Sequence, residues 1–216
     1  MINKTIIFDM DGVILDTERL ILGCWQIEAA KYGIPDIENT FKKSIGTNID
    51  ATRQILLDTY GDDFPYDKFR AEYRELFYKK VDTEGIPVKR GARELLNFLK
   101  VNGYRTGLAS STRRAVVEQE LTDVGLIHFF EVIVGGDMVE KSKPEPDIYQ
   151  KACGLLKVKP EDAYAIEDSK NGILSAKAAG LKVIHVPDLL EPDGEMAALA
   201  DEIFDDLIQV RNFLAQ

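Results

Sequence analysis

Two aspartates stand one residue apart at the end of the first apolar run in the chain. Residues 6–8 are Ile-Ile-Phe, Asp9 and Asp11 follow, and Gly12 then permits a sharp turn. A short apolar run bounded by a glycine predicts a buried strand. Because strand side chains alternate between faces, Asp9 and Asp11 can lean to one side where the strand ends. A hard cation such as Mg²⁺ would neutralise their charges through oxygen ligands.

This carboxylate pair suits covalent catalysis. One carboxylate can attack as a nucleophile and form an aspartyl-phosphate, while the other transfers a proton. The carboxyl edge of an open α/β sheet, where these residues would stand, is where ligands bind. The alternative is that Asp9 and Asp11 only cap the next segment or lie in a solvated turn, because Asp-x-Asp is a short pattern.

The elements that must position the pair follow from residue 85 onward, where helices alternate with continuous apolar strands. Helices are predicted at 90–102, 113–124, 146–156 and 170–179, and strands at 105–110, 131–134, 163–166 and 182–186. A weak strand near 202–204 precedes a terminal helix. The alternation predicts an α/β fold, with a Rossmann-like parallel sheet covered by helices on both faces.

The chain between the first strand and this alternation is predicted to be helical. Three helices are expected, at about 18–32, 48–60 and 67–81, with no strand-like run between them. We therefore expect a small α-helical cap at 17–82, inserted after the first strand, and an α/β catalytic core formed by 1–16 and 83–216. An insertion at this point would lie over Asp9 and Asp11 as a lid.

Polar residues end the later strands. The strand at 105–110 ends in Ser110, and Ser111 and Thr112 follow it. Hydroxyls and backbone N–H groups that open a helix can hold a phosphate. An ordinary helix N-cap is the alternative. Lys143, before Pro144, could neutralise both a phosphate and the nucleophile; Lys141 is its rival, and a solvated lysine is the alternative.

Two adjacent acids, Glu167 and Asp168, follow the strand at 163–166 and open a helix. Carboxylates at a strand end form a plausible cation site. Acids also stabilise helix N-termini, so capping is the alternative, and both roles are compatible.

The composition narrows the class of protein. The 216 residues carry a formal net charge of -10, which disfavours nucleic-acid binding because that needs a basic face. Two distant cysteines, Cys24 and Cys153, predict free thiols in a reducing compartment. Neither a signal peptide nor a membrane span of about 20 apolar residues is evident. We expect a cytoplasmic monomer without membrane partners.

The order of these motifs resembles that of the haloacid dehalogenase-like superfamily. The motifs are Phe8-Asp9-Met10-Asp11-Gly12-Val13, then Ser110, then Ser142-Lys143-Pro144-Glu145-Pro146, then Ile166-Glu167-Asp168-Ser169. The helical insertion and the run from Asp11 to Glu18 resemble the β-phosphoglucomutase-like subfamily with a helical cap. The resemblance covers nearly the whole chain.

The resemblance implies a phosphatase that hydrolyses a small phosphorylated metabolite. Asp9 would be the nucleophile, and Asp11 would protonate the leaving oxygen and then help to activate water. Ser110, with Ser111 beside it, would hold a phosphoryl oxygen, and Lys143 would balance the charges of phosphate and Asp9.

The same resemblance implies Mg²⁺ as cofactor. Its ligands would be a carboxylate oxygen of Asp9, the backbone carbonyl of Asp11, and Asp168, with Glu167 in direct or water-mediated contact. In the predicted cap, Gly46 and Thr47 are candidate substrate contacts.

Other functions fit less well. A dehalogenase usually lacks the second aspartate, Asp11. A phosphohexomutase of the β-phosphoglucomutase type carries a cap histidine and a cap arginine where this chain has Ile21 and Ile49, so that activity is weakened but stays open. A receiver-like signalling domain would be about 120 residues long without a lid. His128 and His185 are expected to be structural, and a Ser-His-Asp triad has little support.

Overall fold

The computed structural model describes residues 5–190 and 194–216, so the predicted core's first four residues and 191–193 lie outside the described part. The strands are β1 (Thr5–Phe8), β2 (Arg105–Ser110), β3 (Val132–Gly135), β4 (Tyr164–Glu167), β5 (Lys182–His185) and β6 (Glu202–Ile203). The helices are α1 (Thr17–Tyr32), α2 (Ile37–Ser44), α3 (Ile49–Tyr60), α4 (Tyr66–Glu84), α5 (Ala92–Val101), α6 (Arg114–Asp123), α7 (Asp147–Leu156), α8 (Lys170–Ala178), α9 (Gly194–Leu199) and α10 (Leu207–Leu214).

The six strands form one parallel sheet in the order β3-β2-β1-β4-β5-β6. β1 lies in the middle, with Phe8 opposite Leu108 of β2 and Ile166 of β4. The strand order reverses between β1 and β4, and ligands bind in the crevice outside such a switch point. The predicted Rossmann-like α/β fold is thereby confirmed.

Alternation along β1 divides the core into two layers. Ile6 and Phe8 lie in a hydrophobic cluster with residues of α5, α6 and α10. Ile7, which points the other way, lies in a second cluster with residues of α7, α8 and α9. Since both faces are covered, the strands are apolar throughout, which is why they read as continuous apolar runs.

The helical segment, defined here as α1–α4, follows β1 and contains its own hydrophobic cluster. Trp25, Phe41, Leu56 and Phe69 are buried in it. Trp25 makes edge-on ring contacts with Phe41 and Phe69, at centroid distances of 5.0 and 5.5 Å. Such aromatic contacts stabilise a small core beyond the area that they bury.

The prediction of three helices in this segment was wrong by one. Ile37–Ser44 forms α2, which the sequence analysis left as a connection. This helix has only eight residues, and Gly33 and Pro35 before it indicated a loop. Ile37 and Phe41 lie on one face of this helix and are buried, while most of its polar residues point outward. Packing of that face stabilises a helix that is too short to be stable alone. The short helix α9 was also missed.

The two chain segments that lead into and out of the helical segment are bonded to each other. The Asp16 N–H donates to the Pro87 carbonyl at 2.8 Å, and the Lys89 N–H donates to the Ile14 carbonyl at 2.9 Å. The chain therefore enters the helical segment and leaves it at the same place, the carboxyl edge of β1. No helix in the described residues is long and apolar enough to cross a membrane.

The central ring of the helical segment's cluster provides a stability test. Phe69 is fully buried against four other aromatic rings, so Phe69→Ala leaves a cavity. We expect a loss of about 3–5 kcal/mol in the free energy of unfolding, measured by urea denaturation. Val101→Ala, at a position 85% exposed, should change it by less than about 0.5 kcal/mol. A loss at Phe69 as small as that at Val101 would contradict the packing described.

Candidate active site

Three chain segments bring four charged side chains together at the carboxyl edge of the sheet. Asp9 follows β1, and its backbone N–H donates to the Ile166 carbonyl at 3.0 Å, which holds it against the end of β4. Glu167 is the last residue of β4, and Asp168 follows it. The loop before α7 brings Lys143 to the same point. All four side chains are buried.

Lys143 lies between two carboxylates. Its Nζ donates to Asp9 Oδ1 at 2.5 Å, to Glu167 Oε1 at 2.6 Å and to the Ala109 carbonyl at 3.1 Å. Burial alone would lower the pKa of Lys143, but the charges of Asp9 and Glu167 outweigh it and raise the pKa. Lys143 is therefore cationic at neutral pH. Its rival Lys141 is exposed.

Three acids form a buried cluster at this edge. One carboxylate oxygen from each of Asp9, Glu167 and Asp168 lies within 4.8 Å of the others. Burial raises the pKa of Asp9 and of Asp168, and the neighbouring carboxylates raise both further. A second cation besides Lys143 would relieve this repulsion. Because every donor is an oxygen, the residues fit a hard divalent ion such as Mg²⁺.

Glu167 is held more tightly than the other two acids. Its Oε1 accepts from Lys143 and from the Tyr149 hydroxyl, and its Oε2 lies 3.4 Å from Ser169 Oγ. Burial and the charge of Glu167 raise the pKa of Tyr149 well above its usual value, so this hydroxyl stays protonated and donates. Both oxygens are thus engaged within the protein, which favours water-mediated contact with a metal.

The Asp11 carboxylate lies apart from that cluster. It accepts from Thr17 Oγ1 at 2.6 Å and from Thr112 Oγ1 at 3.1 Å. Ser110 Oγ lies 3.4 Å away. Both oxygens of this carboxylate thus accept from hydroxyls, and its roles in proton transfer and in metal binding through the backbone carbonyl stay predictions.

The predicted phosphate-holding hydroxyls lie at different depths. Ser110 is fully buried and accepts from the Thr112 N–H at 3.0 Å, whereas Ser111 and Thr112 line the open cavity. The Ser111 hydroxyl has no hydrogen-bond partner among the described residues. Ser111 and Thr112 therefore form part of the cavity wall, whereas Ser110 does not line the cavity.

Close packing at two glycines explains their presence in these motifs. Gly12 has φ of +81°, and a Cβ there would stand 2.1 Å from Asp168 Oδ2. A Cβ at Gly172 would stand 2.0 Å from a Glu167 carboxylate oxygen. Any side chain at either position would displace an acid of the cluster.

A cavity of about 490 Å³ opens above the acids, between the sheet edge and the helical segment. Asp9, Asp11 and Asp168 line its base, and Gly46, Thr47 and the apolar residues Ile21, Trp25 and Ile49 line the helical side. The predicted cap contacts Gly46 and Thr47 therefore face the same space as the aspartates.

Direct contacts join the helical segment to the motif loops. Asn48 Nδ2 donates to Ser142 Oγ at 2.7 Å, next to Lys143. A Cβ at Gly46, which has φ of +73°, would stand 2.6 Å from Ser169 Oγ. The segment therefore approaches both loops closely, and glycine is required where it does so.

Sequence analysis missed four residues that line the cavity: Glu18, Arg70, Arg74 and Arg113. The pKa of Glu18 is raised by burial and by the charges of Asp11 and Asp9. Thr112, which the sequence analysis grouped with Ser110 and Ser111, also lines the cavity. Arg70 and Arg74 carried no sequence signal, because helical arginines are usually solvated.

The parallel fold and the acidic cluster define an α/β protein of the enzyme class, with a candidate active site at the carboxyl edge of the sheet. A family model for haloacid dehalogenase-like hydrolases matches residues 6–186, and the chain belongs to that family. The expected resemblance is thus confirmed.

Curated relatives carry different activities. A phosphorylated carbohydrates phosphatase of Thermotoga maritima is 34% identical over 84% of this chain and 84% of its own length. A β-phosphoglucomutase of Bacillus subtilis is 32% identical over 85% of this chain and 83% of its own length. A bifunctional riboflavin kinase/FMN phosphatase of Arabidopsis thaliana is 34% identical over 97% of this chain, which spans only 55% of that protein.

A solved structure shares the architecture. The crystal structure of CbbY from Rhodobacter sphaeroides in complex with phosphate superimposes with a TM-score of 0.78 at 30% identity. The match covers 97% of this chain and 96% of that chain.

A buried glutamate beside the site provides a pH test. Glu120 lies in α6, where burial and the charge of Asp11 raise its pKa to about 8. The pKa of glutamate in an unfolded chain is about 4.3, so the protonated form of Glu120 favours the folded state. This contribution to the free energy of unfolding is lost as pH rises from about 5 to 8. In metal-free buffer, we expect Glu120→Gln to be more stable than the parent at pH 8, with the difference shrinking toward pH 5.

Urea denaturation across this pH range measures the effect. The matched control is Glu94→Gln, at an exposed position of α5, which should keep the pH dependence of the parent. Parallel pH profiles for Glu120→Gln and the parent would contradict the assignment.

Proposed function

We propose that the protein is a Mg²⁺-dependent phosphatase that hydrolyses a small phosphorylated metabolite through an aspartyl-phosphate on Asp9. The observation that carries this proposal is the contact of Lys143 Nζ with Asp9 Oδ1 at the base of the cavity. A buried ammonium that faces a carboxylate there can orient the nucleophile and balance an incoming phosphate. The phosphatases among the relatives support the same class of reaction.

In the first half-reaction, a carboxylate oxygen of Asp9 attacks phosphorus. The new P–O bond to Asp9 forms while the bond to the ester oxygen breaks, and Asp11 donates the proton that the leaving alcohol needs. Thr17 and Thr112 hold the Asp11 carboxylate in place for this transfer.

In the second half-reaction, Asp11 accepts a proton from water, which attacks the phosphorus of the aspartyl-phosphate. Inorganic phosphate leaves, and Asp9 is regenerated. Each proton that Asp11 gives in the first step is recovered in the second, so the cycle balances.

The remaining polar residues stabilise charge. Lys143 offsets the phosphoryl oxygens, Ser110 and Ser111 donate to them, and Gly46 and Thr47 contact the substrate from the helical side. Phosphoryl transfer depends mainly on such positioning and charge neutralisation. Lys143 also stays paired with Glu167 throughout, which keeps its ammonium aimed at Asp9.

Mg²⁺ would be held by Asp9, by Asp168, by the Asp11 carbonyl, and by Glu167 through water. When bound, it supplies positive charge that draws the phosphate and the nucleophile together. The raised pKa values of Asp9 and Asp168 support a requirement for that charge, since both carboxylates must be ionised to act.

We assign the helical segment the role of a cap, with residues 17–82 as the cap and 1–16 and 83–216 as the catalytic core. Its contacts with the motif loops support this, as does the ion pair between Arg19 of α1 and Asp188 of the loop after β5, at 2.7 Å. A cap that closes here would exclude bulk water during the first step and admit one water for the second.

A β-phosphoglucomutase-type reaction is the second candidate, because one relative carries that activity. A mutase must protect its aspartyl-phosphate from water while the sugar turns. Ile21 and Ile49 line the cavity, and neither side chain can relay a proton or bind a phosphate. We therefore favour hydrolysis.

We also propose that the protein acts as a cytoplasmic monomer with no nucleic-acid partner. Its acidic composition and its two buried free cysteines support this setting.

Metal removal tests the role of the acidic cluster. We expect EDTA to reduce the hydrolysis of p-nitrophenyl phosphate to the level of Asp9→Asn, and Mg²⁺ to restore it. Ca²⁺ should compete without restoring turnover, because its looser geometry misplaces the attacking oxygen. Full activity after exhaustive chelation would contradict the metal requirement.

A parallel assay separates phosphatase from mutase. We expect inorganic phosphate release from members of a panel of phosphorylated metabolites, and negligible conversion of β-glucose 1-phosphate to glucose 6-phosphate. The conversion is followed in a coupled assay with a 1,6-bisphosphate primer, with phosphate measured in the same samples. Isomerisation that outpaces phosphate release would overturn the phosphatase assignment.

A further inference from the structure

Positive side chains line a cavity whose base is acidic. The acids are Asp9, Asp11, Glu18 and Asp168, and the arginines are Arg70, Arg74 and Arg113. The whole chain has a net charge of -10, with 37 acids against 27 lysines and arginines. In such a chain, most arginines should find an acidic or carbonyl partner.

Eight of the ten arginines do have a partner within the described residues. They pair with carboxylates, a hydroxyl, an amide oxygen or backbone carbonyls: Arg19, Arg53, Arg74, Arg90, Arg93, Arg105, Arg114 and Arg211. Among those same residues, Arg70 and Arg113 form no hydrogen bond or ion pair, and both line the cavity. The two unpaired arginines therefore share one location.

Arg70 and Arg74 stand one helical turn apart on α4. Like charges at this spacing destabilise a helix unless something offsets them. Arg74 donates to the Tyr78 hydroxyl and lies 5.2 Å from the centre of that ring. Arg70 is half-buried and close enough to Tyr66 and Tyr73 for its charge to act on both. It has no hydrogen-bond or ion-pair partner in the described part of the chain, so its charge is left without a partner.

Arg113 is better placed for the reacting phosphate. It directly follows Thr112, whose hydroxyl bonds to the Asp11 carboxylate. Arg70 lies instead on the helical side, with Tyr66 and Tyr73 on the same cavity wall. A second anionic group would therefore meet Arg70 when the phosphoryl group meets Asp9.

We propose that Arg70 binds a second anionic group of the substrate, so that the enzyme prefers phosphate esters that carry a distant carboxylate or phosphate. This rests on the proposed phosphatase function and names its substrate class. A neutral sugar monophosphate would leave the guanidinium desolvated and unpaired beneath the closed cap, which penalises that substrate. Guanidinium suits either oxyanion, because its planar N–H groups match both geometries.

Three six-carbon phosphate esters distinguish substrates without a second anionic group from those with a carboxylate or a second phosphate. Glucose 6-phosphate carries no second anion, 6-phosphogluconate adds a carboxylate, and fructose 1,6-bisphosphate adds a phosphate. We expect the parent to show a kcat/KM at least about tenfold higher for one or both of the doubly anionic esters than for glucose 6-phosphate. Which of the two is favoured identifies the oxyanion.

Substitution then assigns the preference to a residue. Arg70→Gln should reduce the ratio of kcat/KM values, doubly anionic over singly anionic, by about tenfold or more. The matched control is Arg53→Gln, which removes the same charge from the helical segment at a residue paired with Asp67 outside the cavity. This control should keep the ratio of the parent. An equal ratio in the parent and Arg70→Gln, or an equal loss in both variants, would overturn the proposal.

Binding measured without turnover keeps this test separate from the proposed chemistry. In an Asp9→Asn background with Mg²⁺, calorimetry should show 6-phosphogluconate, fructose 1,6-bisphosphate or both binding about tenfold or more weakly after Arg70→Gln. Unchanged affinity for both esters would overturn the subsite. Absence of phosphate release from every ester would instead refute the phosphatase, while the calorimetric difference would still support Arg70 as an anion site.

Discussion

The ammonium of Lys143 is the charge on which this site depends. It lies between Asp9 and Glu167, with donor–acceptor distances of 2.5 and 2.6 Å, in a region where all three side chains are buried. Two carboxylates at such depth would repel each other and lose hydration without it. Removal of one partner from a buried ion pair costs about 3–5 kcal/mol, because the remaining charge is left uncompensated. The same ammonium contacts Asp9, which lines the cavity, so in the proposed reaction one group would serve both stability and chemistry.

Sheet topology explains why the charged residues meet. β1 pairs with β2 on one side and with β4 on the other, so the residues that follow all three strands lie at the same edge. Gly12 and Gly172 leave room for the Asp168 and Glu167 side chains, and a Cβ at either glycine would collide with a carboxylate. The helical segment closes the opposite side of the cavity through Gly46 and Asn48.

Much of this arrangement was predictable from the sequence. Strands buried on both faces are apolar throughout, so five of the six strands could be recognised from their sequence. The weak sixth strand was predicted near 202–204, and its observed end differs by one residue. The convergence of Asp9, Lys143, Glu167 and Asp168 followed from their positions at strand ends. The choice of Lys143 over Lys141 agrees with the structure, in which one is buried beside Asp9 and the other is exposed. The helix α2 was missed although its buried residues recur at helical spacing, because only Ile37 and Phe41 among them are apolar and the preceding Gly33 and Pro35 indicated a loop.

The cavity's helical wall was the least predictable part. Arg70 and Arg74 look like ordinary surface charges of α4, and only the packing of that helix places them on the wall of the cavity. Glu18 opens α1 as an acid at a helix N-terminus would, and its burial beside Asp11 depends on long-range contacts. Residues that contact the substrate from the helical side thus depend on tertiary packing and are hard to recognise from sequence, whereas the residues proposed for catalysis lie in short sequence motifs.

The central claim is that Asp9 itself becomes phosphorylated, and chemical trapping tests it most directly. The enzyme is mixed with Mg²⁺ and a substrate that it hydrolyses, and the reaction is quenched rapidly and treated with borohydride. Borohydride reduces an acyl phosphate to an alcohol, which peptide mass spectrometry detects. The account predicts reduction at Asp9 that requires both substrate and metal and is absent in Asp9→Asn. Steady phosphate release with no reduction at Asp9, or with reduction at a different carboxylate, would contradict it.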